Sequence, residues 1–294
     1  MRFIFLGTGT SAGVPAIGCR CATCVSDDPH DKRTRTGAAL VWRDSTGAER
    51  VVLIDATPDL RQQALREGLT RCDAILFTHN HVDHIFGLDE VRRFNAVMDA
   101  PIDIYAERHT LDALRRVYRH IFEPERNVNR SFIARLIAHE IPEPLAPIDL
   151  FGVRFTPIRL MHGRLPILGY RIERKPGVKS QPDGADAPKS FLPLAYCTDV
   201  SSVPTESWRL LDGAATLVLD ALRPRHHPTH LTLDQAVDVA LQAGAGQTWF
   251  VHMAHQLKHT ETNATLPDGI HLAHDGLTLT TPSTHAASSG GTDL

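Results

Sequence analysis

Short apolar runs of strand length recur along the chain, separated by polar turns or by segments of helical period. Runs of this kind that are rich in β-branched and aromatic residues predict strands. By this criterion we predict strands over residues 2–6, 38–43, 51–55, 73–77, 102–106, 132–141, 153–159, 194–199, 217–221 and 248–251. The pattern therefore predicts a protein with many short strands.

Apolar residues at helical spacing predict helices over residues 57–67, 85–94, 111–121 and 232–241. Thr57 before Pro58 is typical of a helix start, with the threonine as N-cap and the proline at the first helical position. Thr232 and Gln235 have the spacing of a capping box. These signals indicate where two of the helices begin.

Two polar segments fit neither pattern. Residues 173–190 are rich in Lys, Pro, Gly and Asp and predict a flexible insert. Residues 283–294 consist mainly of Ser, Gly, Ala and Thr and predict a disordered tail. We expect residues 1–282 to form a single domain.

The composition excludes several classes of function. The 294 residues are 42% hydrophobic and 22% charged, with a formal net charge of −3, so no global basic field would gather nucleic acid. No apolar run approaches the length of a membrane span, and the apolar run at the N-terminus is too short for a signal-peptide core. We therefore expect a cytoplasmic protein with neither membrane nor nucleic acid as partner.

The clearest candidate for chemistry is a histidine-rich turn between a predicted strand and a predicted helix. His79, His81, Asp83 and His84 place three imidazoles and one carboxylate within six positions. Imidazole nitrogens and carboxylate oxygens are ligands of zinc and manganese. His79 and His81 point to one side if the chain is extended there, whereas Asp83 and His84 follow around the turn and can face a second ion. A histidine-rich loop without metal is the alternative, and this density of ligands disfavours it.

Three of the five cysteines lie within six residues of a segment that has no periodicity. Cys19, Cys21 and Cys24 can bind one tetrahedral zinc if a fourth ligand comes from elsewhere. An odd number of cysteines, three of them together, argues against a disulfide framework. A redox pair of Cys21 and Cys24 is the competing interpretation, but no strand leads directly into it. We predict that Cys72 and Cys197 belong to the core.

The segment His79-Asn80-His81-Val82-Asp83-His84 resembles the His-x-His-x-Asp-His signature of the metallo-β-lactamase superfamily. This resemblance implies an α/β fold of the α+β type, a four-layer αββα sandwich with a two-metal site on one edge. A second set of residues narrows the resemblance to the phosphoribosyl cyclic phosphate phosphodiesterase family of the carbon–phosphorus lyase pathway. These residues are Gly7, Thr8, Gly9, Gly13, Val14, Pro15, Gly18, Cys19, Cys21 and Cys24. The resemblance covers about residues 1–280, except for the insert.

The resemblance implies a complete set of metal ligands. One ion would be bound by His79, His81 and His162, and the other by Asp83, His84 and His252. Asp199 would bridge both ions. His255 would be the fourth ligand of a structural zinc, beside Cys19, Cys21 and Cys24.

The resemblance also implies roles for residues that bind no metal. Asp55 would support a histidine ligand from behind, and His230 would protonate the leaving oxygen. A plain strand-end aspartate and a surface histidine are the respective alternatives. The roles of Asp220, His226 and His227 stay open, although Asp220 ends a predicted strand and could support a ligand.

Together these residues predict a phosphodiesterase with two catalytic divalent metals, zinc or manganese, and one structural zinc. A hydroxide held between the two ions would attack the phosphorus of a small cyclic phosphate, and the predicted catalytic residues are Asp83 and His230. The substrate would be a small-molecule phosphodiester, and a homodimer is compatible with the sequence.

The sequence leaves three alternatives to this phosphodiesterase function. A tRNA 3′-end nuclease of the same superfamily would need a basic surface and an RNA-holding arm, which the composition does not support. A non-catalytic protein that resembles the pyrroloquinoline quinone biosynthesis member would share the cysteines. It would, however, lack some of the metal ligands in the six-residue segment that corresponds to residues 79–84. A lactamase-type hydrolase on the same fold would not need the cysteines.

Overall fold

The computed structural model describes residues 1–129, 131–177 and 190–281. Most of the predicted insert and all of the predicted tail at 283–294 lie outside these residues. The beginning of the predicted insert is wrong, because Glu173 and Arg174 are the last two residues of a ten-residue strand. That strand was not predicted, since Pro166 and Gly169 weaken its sequence pattern.

The described residues form fourteen strands in two seven-stranded sheets. The strands are β1 (Arg2–Gly7), β2 (Gly37–Arg43), β3 (Glu49–Ile54), β4 (Ala74–Leu76), β5 (Ile102–Ala106), β6 (Leu136–Glu140), β7 (Ile148–Leu150), β8 (Val153–His162), β9 (Leu165–Arg174), β10 (Leu194–Cys197), β11 (Thr216–Asp220), β12 (Gln247–Val251), β13 (Ile270–Leu272) and β14 (Thr278–Thr280). The first sheet has the order β14-β1-β2-β3-β4-β5-β6, and the second β13-β12-β11-β10-β9-β8-β7.

Helices cover the outer face of each sheet. They are α1 (Leu60–Arg66), α2 (Val82–Ile85), α3 (Arg92–Met98), α4 (Arg108–Val117), α5 (Arg119–Phe122), α6 (Trp208–Leu211), α7 (Leu233–Ala243) and α8 (His259–Asn263). Leu60 and Leu111 pack on the first sheet, whereas Leu211 and Ala236 pack on the second. None of the helices in the described ranges is long and apolar enough to cross a membrane.

The two sheets pack face to face around large apolar side chains. Phe3, Phe155, Tyr170 and Tyr196 are 0–1% exposed and belong to one cluster between the sheets. Sheets that pack in this way bury alternate residues of every strand, which explains the density of aromatic residues in these runs. The resulting order of layers, helix, sheet, sheet and helix, confirms the predicted αββα architecture in one domain.

Two predicted helices begin or continue differently in the structure. Thr57 is not the N-cap of α1, because α1 begins at Leu60 and the Thr57 hydroxyl accepts a hydrogen bond from the Asp59 backbone N at 3.2 Å. The helix predicted over 85–94 is divided into α2, a 3-10 turn at Leu88–Val91 and α3. The division lies at Gly87, whose N–H donates to the Ala56 carbonyl oxygen at 2.8 Å instead of to a helical partner; a Cβ there would lie 1.9 Å from the Thr57 carbonyl oxygen. The capping box at the start of α7 is confirmed.

The topology brings several strand ends to one edge of the sandwich. Strands β3 to β6 run parallel in the first sheet, and β10 to β13 run parallel in the second. Their carboxyl ends therefore lie at the same edge of each sheet, which is where open α/β sheets bind ligands. The candidate site occupies this edge.

Candidate metal centres

The predicted ligands come from four strand ends, and their predicted support Asp55 comes from a fifth. His79, His81, Asp83 and His84 follow β4, His162 ends β8, Asp199 follows β10 and His252 follows β12, while Asp55 follows β3. All of them except His81 are buried, with exposed fractions of 0–6%. The structure thus brings together side chains from positions 55 to 252 of the chain.

Three of these residues have left-handed backbone conformations. Asp55 has φ 64°, Asp199 φ 59° and His252 φ 59°, three of the five such non-glycine residues in the described part of the chain. This conformation costs about 1–2 kcal/mol for a residue with a Cβ, and it persists only where the surroundings hold it. Each of the three follows a strand directly or after one residue, so the turn aims its side chain across the edge of the sheet.

The first ligand group consists of His79, His81 and His162, with ligand atoms within 4.8 Å of one another. The Nδ1 of His79 lies 2.9 Å from the Thr78 hydroxyl oxygen, and the Nδ1 of His162 lies 2.8 Å from the Thr229 carbonyl oxygen. A carbonyl only accepts, so His162 donates from Nδ1 and its Nε2 carries a lone pair. Nitrogens fixed in this way are suited to bind a cation.

The second ligand group consists of Asp83, His84, Asp199 and His252, again within 4.8 Å. The two carboxylate oxygens of Asp199 face different imidazoles, Oδ1 at 3.1 Å from His252 Nε2 and Oδ2 at 3.3 Å from His84 Nε2. Asp199 also groups with His162 within the same distance. It therefore lies between the two groups, as a carboxylate shared by two cations must.

Asp55 supports one histidine of each group. Its Oδ2 lies 2.7 Å from the Nδ1 of His84 and accepts a hydrogen bond from the Thr78 hydroxyl at 2.8 Å. Because the same hydroxyl contacts the Nδ1 of His79, a single buried carboxylate orients both imidazoles. Sequence reasoning missed Thr78, although its position directly before His79 was a usable signal.

Burial and charge divide the imidazoles into two classes. Burial lowers the pKa of His79 well below its ordinary value and that of His162 to about 4, so both are neutral at pH 7. Burial also disfavours charge on His84 and His252, but Asp199 and Asp83 outweigh it and raise the pKa of His84 well above its ordinary value and that of His252 to about 9. The second group thus concentrates negative charge that attracts protons here and would attract divalent cations.

The donor set fits metal ions. The Nε2 atoms of His79 and His84 are buried and have no hydrogen-bond partner among the described residues. Buried polar atoms are nearly always paired, so orphaned imidazole nitrogens that converge on carboxylates need another partner. Imidazole ligands suit zinc and carboxylate ligands suit manganese, so a mixed set is compatible with either metal.

The cysteine centre lies on the loop before β2. The Nδ1 of His255 lies 3.1 Å from Cys19 Sγ, 3.2 Å from Cys21 Sγ and 3.5 Å from Cys24 Sγ. Ligand atoms of a tetrahedral zinc site are separated by about 3.5 Å for Zn–S near 2.3 Å and Zn–N near 2.0 Å. The four predicted ligands therefore form a closed set that fits one zinc. Cys72 and Cys197 are fully buried, as predicted.

His230 is only 9% exposed, so the alternative of a surface histidine is wrong. Its Nδ1 lies 2.9 Å from Asp220 Oδ2, and its ring stacks at 4.7 Å on that of His252. Burial and the neighbouring His252 lower the pKa of His230 to about 4. His226 and His227 are in none of the groups of candidate ligands in the described residues.

A buried ion pair supports the loop that carries His252 and His255. Arg33 is 2% exposed, lies 3.5 Å from Asp31 and donates to the carbonyl oxygens of Ala254 at 3.2 Å and Leu257 at 2.6 Å. No sequence signal pointed to this pair, because charged residues in a polar loop are usually solvated. His259, in α8 of the same region, is also buried.

Residues 50–253 match the family model described as the Beta-lactamase superfamily domain, and the chain belongs to this superfamily. A crystal structure described as a new diphosphatase from the PhnP family superposes with a TM-score of 0.80 and 42% identity, over 95% of this chain and 97% of that chain. Within the superfamily, the protein is a member of the PhnP family. This confirms the resemblance inferred from the hexad and the cysteines, and the prediction of a metal-dependent hydrolase.

Two further proteins are similar to this chain over most of its length. A protein of Porphyromonas gingivalis named octanoyltransferase is 36% identical over 279 residues, which are 94% of this chain and 51% of that protein. The chain therefore spans about half the length of that relative. Zn²⁺-bound PqqB from Methylobacterium extorquens superposes with a TM-score of 0.71 and 22% identity, over 95% of this chain and 100% of that chain, which shows a shared fold.

Proposed function

We propose that the protein is a di-metal phosphodiesterase that hydrolyses a small cyclic phosphate. The sequence resemblance indicates that this substrate is similar to phosphoribosyl cyclic phosphate. The observation that carries the proposal is the position of Asp199, whose two oxygens face different imidazoles between two groups of ligands. Two divalent cations, zinc or manganese, would lower the pKa of a water molecule and offset charge on the phosphoryl oxygens.

The chain's own residues would supply binding, orientation and a proton. We assign His79, His81 and His162 to one ion, and Asp83, His84 and His252 to the other, with Asp199 common to both. Asp55 would hold His79 and His84 in the tautomers that leave Nε2 free. Asp83 would also border the reacting oxygen, which is why we count it among the catalytic residues.

His230 is our candidate for the proton donor. Its ring lies 4.6 Å from His162 and 4.7 Å from His252, so it borders both groups of ligands. A buried imidazole at this place can give a proton to the departing alkoxide, a contribution of typically 10²–10⁴-fold. Cys19, Cys21, Cys24 and His255 would bind a structural zinc that takes no part in this step.

A second candidate function is hydrolysis of a diphosphate ester, because the 42% identical member of the PhnP family is described as a diphosphatase. Both reactions attack phosphorus and need the same charge compensation, so the ligand groups alone do not separate them. The intact hexad, with all four ligands buried or facing the site, disfavours a non-catalytic role.

The test compares His230→Ala with His226→Ala, a matched variant in the same loop whose side chain is exposed. Purified protein is assayed against a panel of cyclic phosphodiesters and nucleoside diphosphate esters. We expect His230→Ala to slow turnover by about 10²-fold or more, with metal content unchanged by elemental analysis. An unchanged rate in His230→Ala would contradict the assignment, and a panel without any turnover would contradict the proposed function.

A further inference from the structure

The carboxylate of Asp220 lies at the end of β11 behind two imidazoles. Asp220 is completely buried, and its Oδ2 lies 2.9 Å from His230 Nδ1. Its Oδ1 lies 3.8 Å from His252 Nδ1, which is too long for a hydrogen bond, and both atoms are buried without a hydrogen-bond partner in the described residues. One carboxylate thus faces the Nδ1 atoms of a proposed metal ligand and of the proposed proton donor.

The two rings are nearly parallel, which fixes where their other nitrogens point. The rings of His230 and His252 are inclined by only 13°. Because both Nδ1 atoms face Asp220, both Nε2 atoms face away from it in the same direction. For His252 that direction leads to the metal site, since its Nε2 lies 3.1 Å from Asp199 Oδ1. The Nε2 of His230 therefore faces the same site, in agreement with its grouping with His162 and Asp199.

We propose that Asp220 is a positioning residue that aligns His252 for metal binding and His230 for proton donation through one shared carboxylate. The inference rests on the proposed function and deepens it. When the bond from phosphorus to the leaving oxygen breaks, its electron pair stays on that oxygen, which takes the proton from His230 Nε2. For this step His230 carries a proton on both nitrogens: Nδ1–H stays with Asp220 and Nε2–H is donated, after which the neutral ring takes another proton from solvent.

The deciding variant is Asp220→Asn, because it keeps the shape of the side chain. The amide oxygen of an asparagine can accept from only one Nδ1–H. Its NH₂ group then faces the Nδ1–H of the other imidazole, and two donors cannot form a hydrogen bond. The variant therefore removes the acceptor of at least one imidazole without leaving a cavity. Asp234→Asn, at an exposed position in α7, is the matched control.

Two phosphodiester substrates distinguish a loss of proton donation from a general loss of activity. One has an alkoxide leaving group, which needs a proton, and the other has p-nitrophenolate, which does not. We expect Asp220→Asn to lower kcat about 10²-fold with the alkoxide and less than about 10-fold with p-nitrophenolate. His230→Ala should show the same selectivity. With metal in excess, the double variant should be no slower than His230→Ala, because the two residues act as a unit in proton donation.

Metal retention gives a readout that does not depend on activity. Mutation of an outer-shell group that orients a metal ligand typically weakens metal affinity 10–100-fold. Asp220→Asn should therefore lose metal to a chelator at about 10-fold lower concentration than wild type, whereas His230→Ala and Asp234→Asn should not.

The outcomes separate the inference from the proposed function. Equal loss with both leaving groups, or metal retention equal to wild type, would overturn the inference while the phosphodiesterase assignment stands. A wild-type protein that cleaves neither substrate would overturn the proposed function, and chelator titration would then still decide whether Asp220 supports His252.

Discussion

The cysteine centre and the histidine centre differ in how the chain builds them. The cysteine centre takes three ligands from one loop of six residues and a fourth, His255, from the far end of the chain. The histidine centre takes its ligands from four different strand ends and buries almost all of them. Local spacing therefore determines most of the first centre, whereas strand topology assembles the second.

The difference matches the chemistry proposed for each centre. Four ligands close a tetrahedral zinc site and leave no position for substrate, which is typical of a structural ion. The histidine centre instead has a shared carboxylate, buried supports and a neighbouring proton donor. The two centres are joined through one short segment, because His252 and His255 are three residues apart. We infer that the cysteine centre holds the segment that presents His252.

The largest effect should come from the residue common to both ligand groups. Asp199→Asn removes the negative charge between the two groups, so we expect activity against phosphodiesters to fall by about 10³-fold or more. Elemental analysis should show loss of metal from the histidine centre, with one zinc retained. Asp212→Asn, an exposed aspartate beyond α6, is the control. Retained activity in Asp199→Asn would refute the model of two ions that share a carboxylate.

A smaller effect is expected at the cysteine centre. Cys21→Ser should abolish binding of one zinc and lower Tm by about 5 °C or more, because a lost metal site destabilises a protein of this size by roughly 2 kcal/mol or more. Activity should fall less than in Asp199→Asn. Thermal unfolding and elemental analysis measure both, with Arg20→Ala, an exposed neighbour, as control. Unchanged Tm and zinc content would exclude a structural zinc at this place.

The smallest effect should come from the hydroxyl behind His79. Thr78→Val keeps the shape of the side chain but removes the hydrogen bonds to Asp55 and His79, so we expect metal affinity of the histidine centre to fall about 10-fold. Thr78→Ser should restore it. Chelator titration monitored by elemental analysis separates the variants. Equal affinities for the valine and serine variants would show that the hydroxyl does not orient His79.

The sequence predicted most elements because apolar periodicity and turn residues act locally. It failed where distant parts of the chain approach each other. Gly87 looks like an ordinary residue inside a helical pattern, yet its N–H bonds to the distant Ala56 carbonyl oxygen at the point where that helix is divided. Likewise, β9 contains a proline and a glycine, and its pairing with β8 and β10 outweighs their low strand propensity.

What the sequence alone determined is the chemistry that local spacing encodes. The hexad from His79 to His84 and the cysteines at 19, 21 and 24 indicate metal sites, because ligands so close in the chain must be close in space. Only the tertiary structure decided that Asp199 lies between the two groups, that Asp55 supports both and that Asp220 faces two imidazoles. These contacts join residues 10 to 115 positions apart, and they depend on which strand ends meet at one edge of the sandwich. The local sequence does not predict such long-range contacts, because the packing of the two sheets determines them.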